Sequence, residues 1–328
     1  MLPLFFGKIA ALLLNKEETM RYTTLNNNEI MPSLGIGTYR IHPTDAERSV
    51  EHALKNGYQL IDTANIYLNE KAVGRAIKKS GIDRSEIFLT SKIWPTEYKY
   101  AKAKQAIEDT LNRLGVDYID LMLLHQPVGD YLGAWRAMEE AVKTGKIKSI
   151  GLSNFIGPEL DKVLAEGTIK PAVVQVECHP YFQQKELKAK LAKDNIALEA
   201  WYPLGSADKD LLAEPIFAEL ASKYNKSVVQ IILHWHVQTG NIVIPGSKNP
   251  THIDSNLDIF DFELSSADLE QIAQLDKDKR FLNLPKWMHR LFLLARLKMR
   301  TKTYERYHCK KRNPLPSCCR NRNLHESP

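Results

Sequence analysis

From Leu34 to Leu275 the chain alternates between short apolar runs and longer stretches of helical periodicity. The runs fall at about residues 33–38, 59–63, 87–92, 119–124, 148–152, 172–177, 197–201 and 242–246, mostly Ile, Leu, Val or Phe bounded by polar or turn-forming residues. A strand with one wet face alternates, whereas a strand covered on both faces reads as an unbroken apolar run. Between the runs, apolar residues recur at helical spacing. Ala101, Ile107, Leu111 and Leu114 form one such series, Val228, Ile231, Ile232 and Trp235 another, and both predict core-facing helices. Strand and helix in alternation predict an α/β fold with a parallel sheet under covering helices, and eight strands predict a closed (β/α)8 TIM barrel. No G-x-G-x-x-G follows the first run, where an open dinucleotide fold would hold a pyrophosphate. Ahead of the barrel, RYTTL and EIMPSL flank the turn-forming NNN, which predicts an N-terminal β-hairpin over residues 21–32.

Composition and charge refine this picture at the ends. The 328 residues carry a formal charge of +6, but residues 286–328 hold twelve Lys or Arg against Glu305 and Glu326. That segment contributes +10 and leaves residues 1–285 at −4, so the basic character gives no reason to expect a nucleic-acid partner for the barrel. The expected organisation is an N-terminal extension at 1–19, a barrel at 20–284 and a divergent basic C-terminal tail at 285–328. Trp287, Leu291, Leu294 and Leu297 put an apolar side on the start of the tail, read as a helix packing on the barrel, with contact to an anionic membrane surface as the alternative. Residues 1–19 lack the layout of a signal peptide, and no apolar stretch reaches the length of a membrane span. A single cysteine in the barrel, Cys178, fits a reducing compartment, so a cytoplasmic location is expected, and a monomer is expected separately. His234 and His236 stand two apart on a helical stretch, and tail residues His308, Cys309, Cys318, Cys319 and His325 fit no zinc module, so no metal is expected.

The chemistry gathers at strand ends. QLIDTANIY, IFLTSKIW and IDLMLLHQP place Asp62, Tyr67, Lys92 and His125 at or just past the C-terminal ends of their runs, where a (β/α) barrel keeps its reactive groups. An acid, a phenol, an ammonium and an imidazole at one rim can pass a proton to a carbonyl oxygen while a hydride reaches its carbon. Tyr67 is the expected general acid. An ordinary phenol has a pKa of about 10, so Lys92 is expected to favour the phenolate, Asp62 to hold Lys92, and His125 to hydrogen-bond the substrate carbonyl. No side chain supplies hydride, so a nicotinamide cofactor is implied.

The same segments carry a resemblance. GYQLIDTANIYLNEKAVG at 57–74, with LTSKIW, LMLLHQP, SIGLSNF, VVQVECHPY, EAWYPLG and IVIPGSK, resembles the aldo-keto reductase superfamily in unbroken order from about Met20 to about Leu284, with a flavour of bacterial 2,5-diketo-D-gluconate reductase and aldehyde reductase-like members. The resemblance implies that the hairpin closes the bottom of the barrel. It implies that Ser153, Asn154 and Gln175 hold the nicotinamide carboxamide, that Trp201 stacks on the ring, and that Tyr39 and Trp94 line the substrate pocket with His125. Family members commonly read I-P-K-S with an Arg six residues beyond the Lys, both gripping the 2′-phosphate of NADP. Here Gly246 and His252 stand at those positions, Asn256 is kept and Lys248 lies two residues along. Ser247, Lys248, Asn249 and His252, ahead of and within a helix N-terminus, form the expected phosphate site. The expected activity is NADPH-dependent reduction of a small-molecule aldehyde or ketone, with NAD as the alternative cofactor. A redox-sensing, non-catalytic nicotinamide-binding barrel is the rival within the fold, and a phosphate-substrate lyase the rival outside it.

Overall fold

The computed structural model describes residues 20–282. The extension expected at 1–19, the tail expected at 285–328 and its amphipathic stretch lie outside the described residues. Strands β1 (Tyr22–Thr24) and β2 (Ile30–Pro32) form the antiparallel hairpin. Asn26 Nδ2 donates to the Pro171 carbonyl at 2.8 Å and Asn27 Nδ2 to the Lys148 carbonyl at 3.1 Å, which ties the hairpin across the N-terminal ends of the barrel strands.

Eight parallel strands follow: β3 (Gly35–Gly37), β4 (Leu60–Asp62), β5 (Phe88–Ile93), β6 (Ile119–Leu124), β7 (Ile147–Ser153), β8 (Val173–Glu177), β9 (Ala197–Trp201) and β10 (Asn241–Val243). Each pairs with its neighbour in sequence, and the sheet closes where Leu34 bridges Val243 and the Gly37 N–H donates to the Pro245 carbonyl at 3.2 Å. The seam is tight. A Cβ on Gly37 would stand 2.6 Å from the Ile244 carbonyl oxygen, so only glycine fits there.

Within the apolar runs a period of two survives. Leu60, Phe88, Leu121, Leu123, Val173 and Ile242 form one cluster inside the barrel, while Ile61, Leu89, Met122, Leu124, Val174 and Leu198 pack outward against the helices. Followed toward the C-terminal ends of the strands, the inward parity runs from these apolar residues to Asp62, Lys92, His125, Gln175 and Glu199. The strand pattern that fills the bottom of the barrel thus delivers polar groups to its top.

The helix Tyr100–Leu114 buries Ala103, Ala106, Ile107, Leu111 and Leu114 but leaves Ala101 exposed. Ala101 precedes Ile107 by six residues, about a third of a turn off the buried face, which corrects the expected phase. The helix Val228–Gln238 opens with a capping box between Ser227 and Gln230 and buries Ile231, Ile232 and Trp235, with Val228 partly buried. Among the described residues no helix is long and apolar enough to cross a membrane.

Candidate active site

Asp62 ends β4, and the chain then turns through a short 3₁₀ segment, Asn65–Tyr67, that raises Tyr67 over the rim. Leu68 leaves this turn at φ 61°, left-handed backbone that a leucine seldom adopts. Asn69 holds the turn in place: its Oδ1 accepts from Thr63 Oγ1 at 2.9 Å, and its Nδ2 donates to the Thr38 carbonyl at 2.9 Å. Lys92 on β5 donates to both Asp62 carboxylate oxygens at 2.5 Å and to the Thr63 carbonyl at 3.0 Å. Its Nζ lies 5.2 Å from the centre of the Tyr67 ring. The Tyr67 ring in turn stands 5.2 Å from Tyr39 and 5.7 Å from His125, whose ring meets Trp94 edge-on at 5.0 Å. The four tetrad residues and both expected pocket aromatics therefore lie together at the C-terminal rim of the barrel, with Trp94 buried and Tyr39 exposed.

The electrostatics correct one expectation. Burial first, then the Asp62 carboxylate, hold the Tyr67 phenol well above its ordinary value. Lys92, whose ammonium is held by Asp62 and the Thr63 carbonyl, does not outweigh these effects. Burial, with Lys92 nearby, keeps the His125 imidazole well below its usual range, so it is neutral.

Sequence reasoning passed over Glu199. Fully buried on β9, it accepts at Oε2 from Gln175 Nε2 at 2.8 Å, and the same amide nitrogen donates to Asp62 Oδ2 at 2.9 Å. A carboxyl inside the apolar run ALEAW was the available signal. Desolvation, then the Asp62 charge, push Glu199 up to about 8 against an ordinary 4.5, with Lys92 and the Gln175 hydrogen bond pulling the other way. The folded protein therefore binds this proton more tightly than the unfolded chain. The resulting stability is fully present below about pH 4.5 and is lost as pH rises through about 8. Glu199→Gln stays neutral and lacks this component, so the melting-temperature advantage of wild type over Glu199→Gln should shrink from about pH 5 to about pH 8.5. A constant difference across that range would contradict the assigned protonation.

The expected carboxamide residues also come together. Asn154, at φ 68° just past β7, donates from Nδ2 to the His125 carbonyl and to Ser153 Oγ, both at 3.1 Å, and accepts at Oδ1 from the Trp201 indole N–H at 3.0 Å. Ser153 Oγ donates to Gln175 Oε1 at 3.4 Å. Hydroxyl, amide donor and amide acceptor thus lie side by side next to a partly buried indole, a set that matches the donors and acceptors of a primary carboxamide on an aromatic ring.

At the far end, the loop after β10 carries Ser247, Lys248 and Asn249 into the helix Pro250–Leu257. Ser247 Oγ accepts from the Asn249 N–H at 3.1 Å and Asn249 Oδ1 from the Thr251 N–H at 3.1 Å, while Lys248 and His252 are exposed and Asn256 is buried. Lys248 sits close enough to the helix Pro43–Lys55 to help depress the Asp45 carboxyl, after the larger effect of Arg48. Gly246 has a packing role that sequence did not reveal. A Cβ there would stand 2.9 Å from the Gly37 carbonyl oxygen at the barrel seam, so a lysine at this position would displace the seam as well as add a charge.

His234 bonds the Ile259 carbonyl and Gln238, whereas His236 bonds the Pro203 carbonyl and Asn241; the two rings serve separate neighbours. Among the described residues no group of three His, Cys, Asp or Glu could hold a metal ion.

Comparison with known proteins places these features in context. Residues 32–277 match the Aldo/keto reductase family. The chain is 46% identical over 258 residues to a glyoxal reductase of Bacillus subtilis, covering 78% of this chain and 93% of that protein. It is 39% identical over 259 residues to a methylglyoxal reductase of Escherichia coli, covering 78% and 94%. Among solved structures, an aldo/keto reductase from Brucella melitensis superposes with a TM-score of 0.76 at 44% identity, covering 79% of this chain and 100% of that one. A Bombyx mori aldo-keto reductase in complex with NADP superposes with a TM-score of 0.78 at 31% identity, covering 82% and 96%.

Proposed function

The chain belongs to the aldo/keto reductase family, and on that premise we propose that residues 20–284 reduce small aldehydes and ketones to alcohols with NADPH, Tyr67 giving the proton. The observation that carries this reading is the convergence of the Tyr67, His125, Tyr39 and Trp94 rings over the buried Lys92–Asp62 pair, beside the Ser153, Asn154 and Gln175 cluster. The bound nicotinamide supplies the hydride. Ser153, Asn154 and Gln175 hold its carboxamide, Trp201 lies against its ring, and Tyr39 and Trp94 wall the substrate. The neutral imidazole of His125 donates one N–H to the carbonyl oxygen and brings no charge that would compete with Lys92. Tyr67 keeps its proton throughout the neutral range. As charge develops on the substrate oxygen, that oxygen becomes a stronger base than the phenolate, and the proton crosses only then. Lys92, fixed by Asp62, faces the phenolate left behind.

Carbonyl compounds including glyoxal and methylglyoxal, on which the named relatives act, should oxidise NADPH in the presence of the full chain, followed by loss of cofactor absorbance. Cofactor binding with no turnover of any carbonyl would replace this reading by the regulatory barrel.

Lys248, with Ser247, Asn249 and His252, holds the 2′-phosphate in this proposal. A hydrogen bond to a charged group contributes about 1.5–3 kcal/mol, so Lys248→Ala should weaken NADPH roughly 10- to 100-fold and leave NADH almost unchanged in equilibrium titrations. Equal weakening of both cofactors, or a wild type that prefers NADH, would remove phosphate recognition from this loop.

A further inference from the structure

Gln175 has two amide protons, and both are used on carboxyl groups: one on Asp62 Oδ2 at 2.9 Å, the other on Glu199 Oε2 at 2.8 Å. Turning the amide over would bring its carbonyl oxygen against the Asp62 carboxylate, which repels it, and would break the hydrogen bond that Glu199 Oε2 accepts. The amide is therefore held in one orientation, with Oε1 on the side of Ser153. We propose that Glu199 is a positioning residue for the reduction: with Asp62 it locks Gln175 so that Oε1 faces the nicotinamide carboxamide and accepts its N–H. The inference rests on the cofactor reading above and assigns a role to a side chain that touches neither cofactor nor substrate.

A second carboxyl beside Asp62 is an expensive way to fill this space, since an apolar side chain would satisfy packing alone. The groups facing it account for how it is tolerated. Asp62 comes from β4, Lys92 from β5, Tyr67 from the turn after β4 and Gln175 from β8, while β10, on the other side, brings only Asn241, Ile242 and Val243. With one ammonium already matched to Asp62, Glu199 is kept protonated. Its Oε2 remains an acceptor for Gln175, and Oε1 has no protein partner among the described residues. Neutral Glu199 thus serves as a fixed acceptor that adds no second negative charge beneath Tyr67.

The test is equilibrium binding of NADPH to the purified full chain, by calorimetry, with kcat and the KM for NADPH measured in parallel. Glu199→Met fills similar space without an acceptor and should raise Kd and KM about tenfold, the scale of one lost buried hydrogen bond, with a smaller change in kcat at saturating NADPH. Glu199→Gln offers an amide oxygen to Gln175 and should bind NADPH nearly as wild type does. In a Gln175→Ala background, Glu199→Met should add nothing further. Should Glu199→Met fail to fold, Glu199→Ser, whose hydroxyl is too short to reach Gln175, takes its place. Unchanged affinity in the acceptor-less variant, or a full loss that persists without Gln175, would overturn the positioning role and leave the reductase reading intact. Failure of the wild type to bind either nicotinamide cofactor would overturn the cofactor reading instead.

Discussion

Replacing Tyr67 by Phe should lower kcat for carbonyl reduction by roughly 100-fold or more, the scale of a lost general acid, while NADPH binds as in wild type. The ring contacts that place Tyr67 against Tyr39 and His125, at 5.2 and 5.7 Å, involve no hydroxyl and survive the change. The Lys92–Asp62 pair and the Gln175 amide also keep their partners, since none of their hydrogen bonds runs to Tyr67. What disappears is the phenolic proton, while the neutral His125 remains a hydrogen-bond donor and the buried Lys92 stays held by Asp62 and Thr63. A companion expectation concerns pH. Burial and Asp62 raise the Tyr67 phenol well above its ordinary 10.0, so ionisation of Tyr67 should cause no loss of reduction rate below about pH 10 in the wild type. Near-normal turnover by Tyr67→Phe would remove Tyr67 from the chemistry.

Much of this arrangement was legible along the chain, because strand ends are where pattern and chemistry coincide. The runs at 119–124 and 197–201 are β6 and β9 residue for residue, and the six others agree with the observed strands to within three residues at either end, so the sequence alone puts Asp62, Lys92 and His125 on one rim. The hairpin was equally visible, since NNN offers the turn and the flanks offer the strands. Three things were not legible, each for want of distance. Lys92 was expected to set the Tyr67 phenol, but burial and Asp62 outweigh it, and the Thr63 carbonyl that takes its third proton has no signature in a sequence. Glu199 was passed over: its partner Gln175 lies 24 residues away and across a strand pair. Gly246 read as a missing cation. The seam that leaves no room for a Cβ there is a contact with Gly37, more than two hundred residues earlier.

Lys92→Met should be the most damaging single change in the barrel interior. Lys92 is fully buried and Asp62 nearly so, with side-chain exposures of 0% and 2%, and removing the cation leaves a carboxylate whose remaining side-chain partner is the Gln175 amide. Breaking a buried pair from one side costs about 3–5 kcal/mol, which should appear as a large drop in melting temperature. Adding Asp62→Asn removes the orphaned charge and should restore much of the stability at neutral pH. Turnover should behave differently, falling by roughly 100-fold or more in Lys92→Met and staying low in the double variant, because no cation then faces the Tyr67 phenolate. Thermal melts and turnover measured on the same preparations separate the two effects. If Lys92→Met were as stable as wild type, the ion pair would not bear on the fold, and if the double variant regained turnover, the cation would have no part in the reaction.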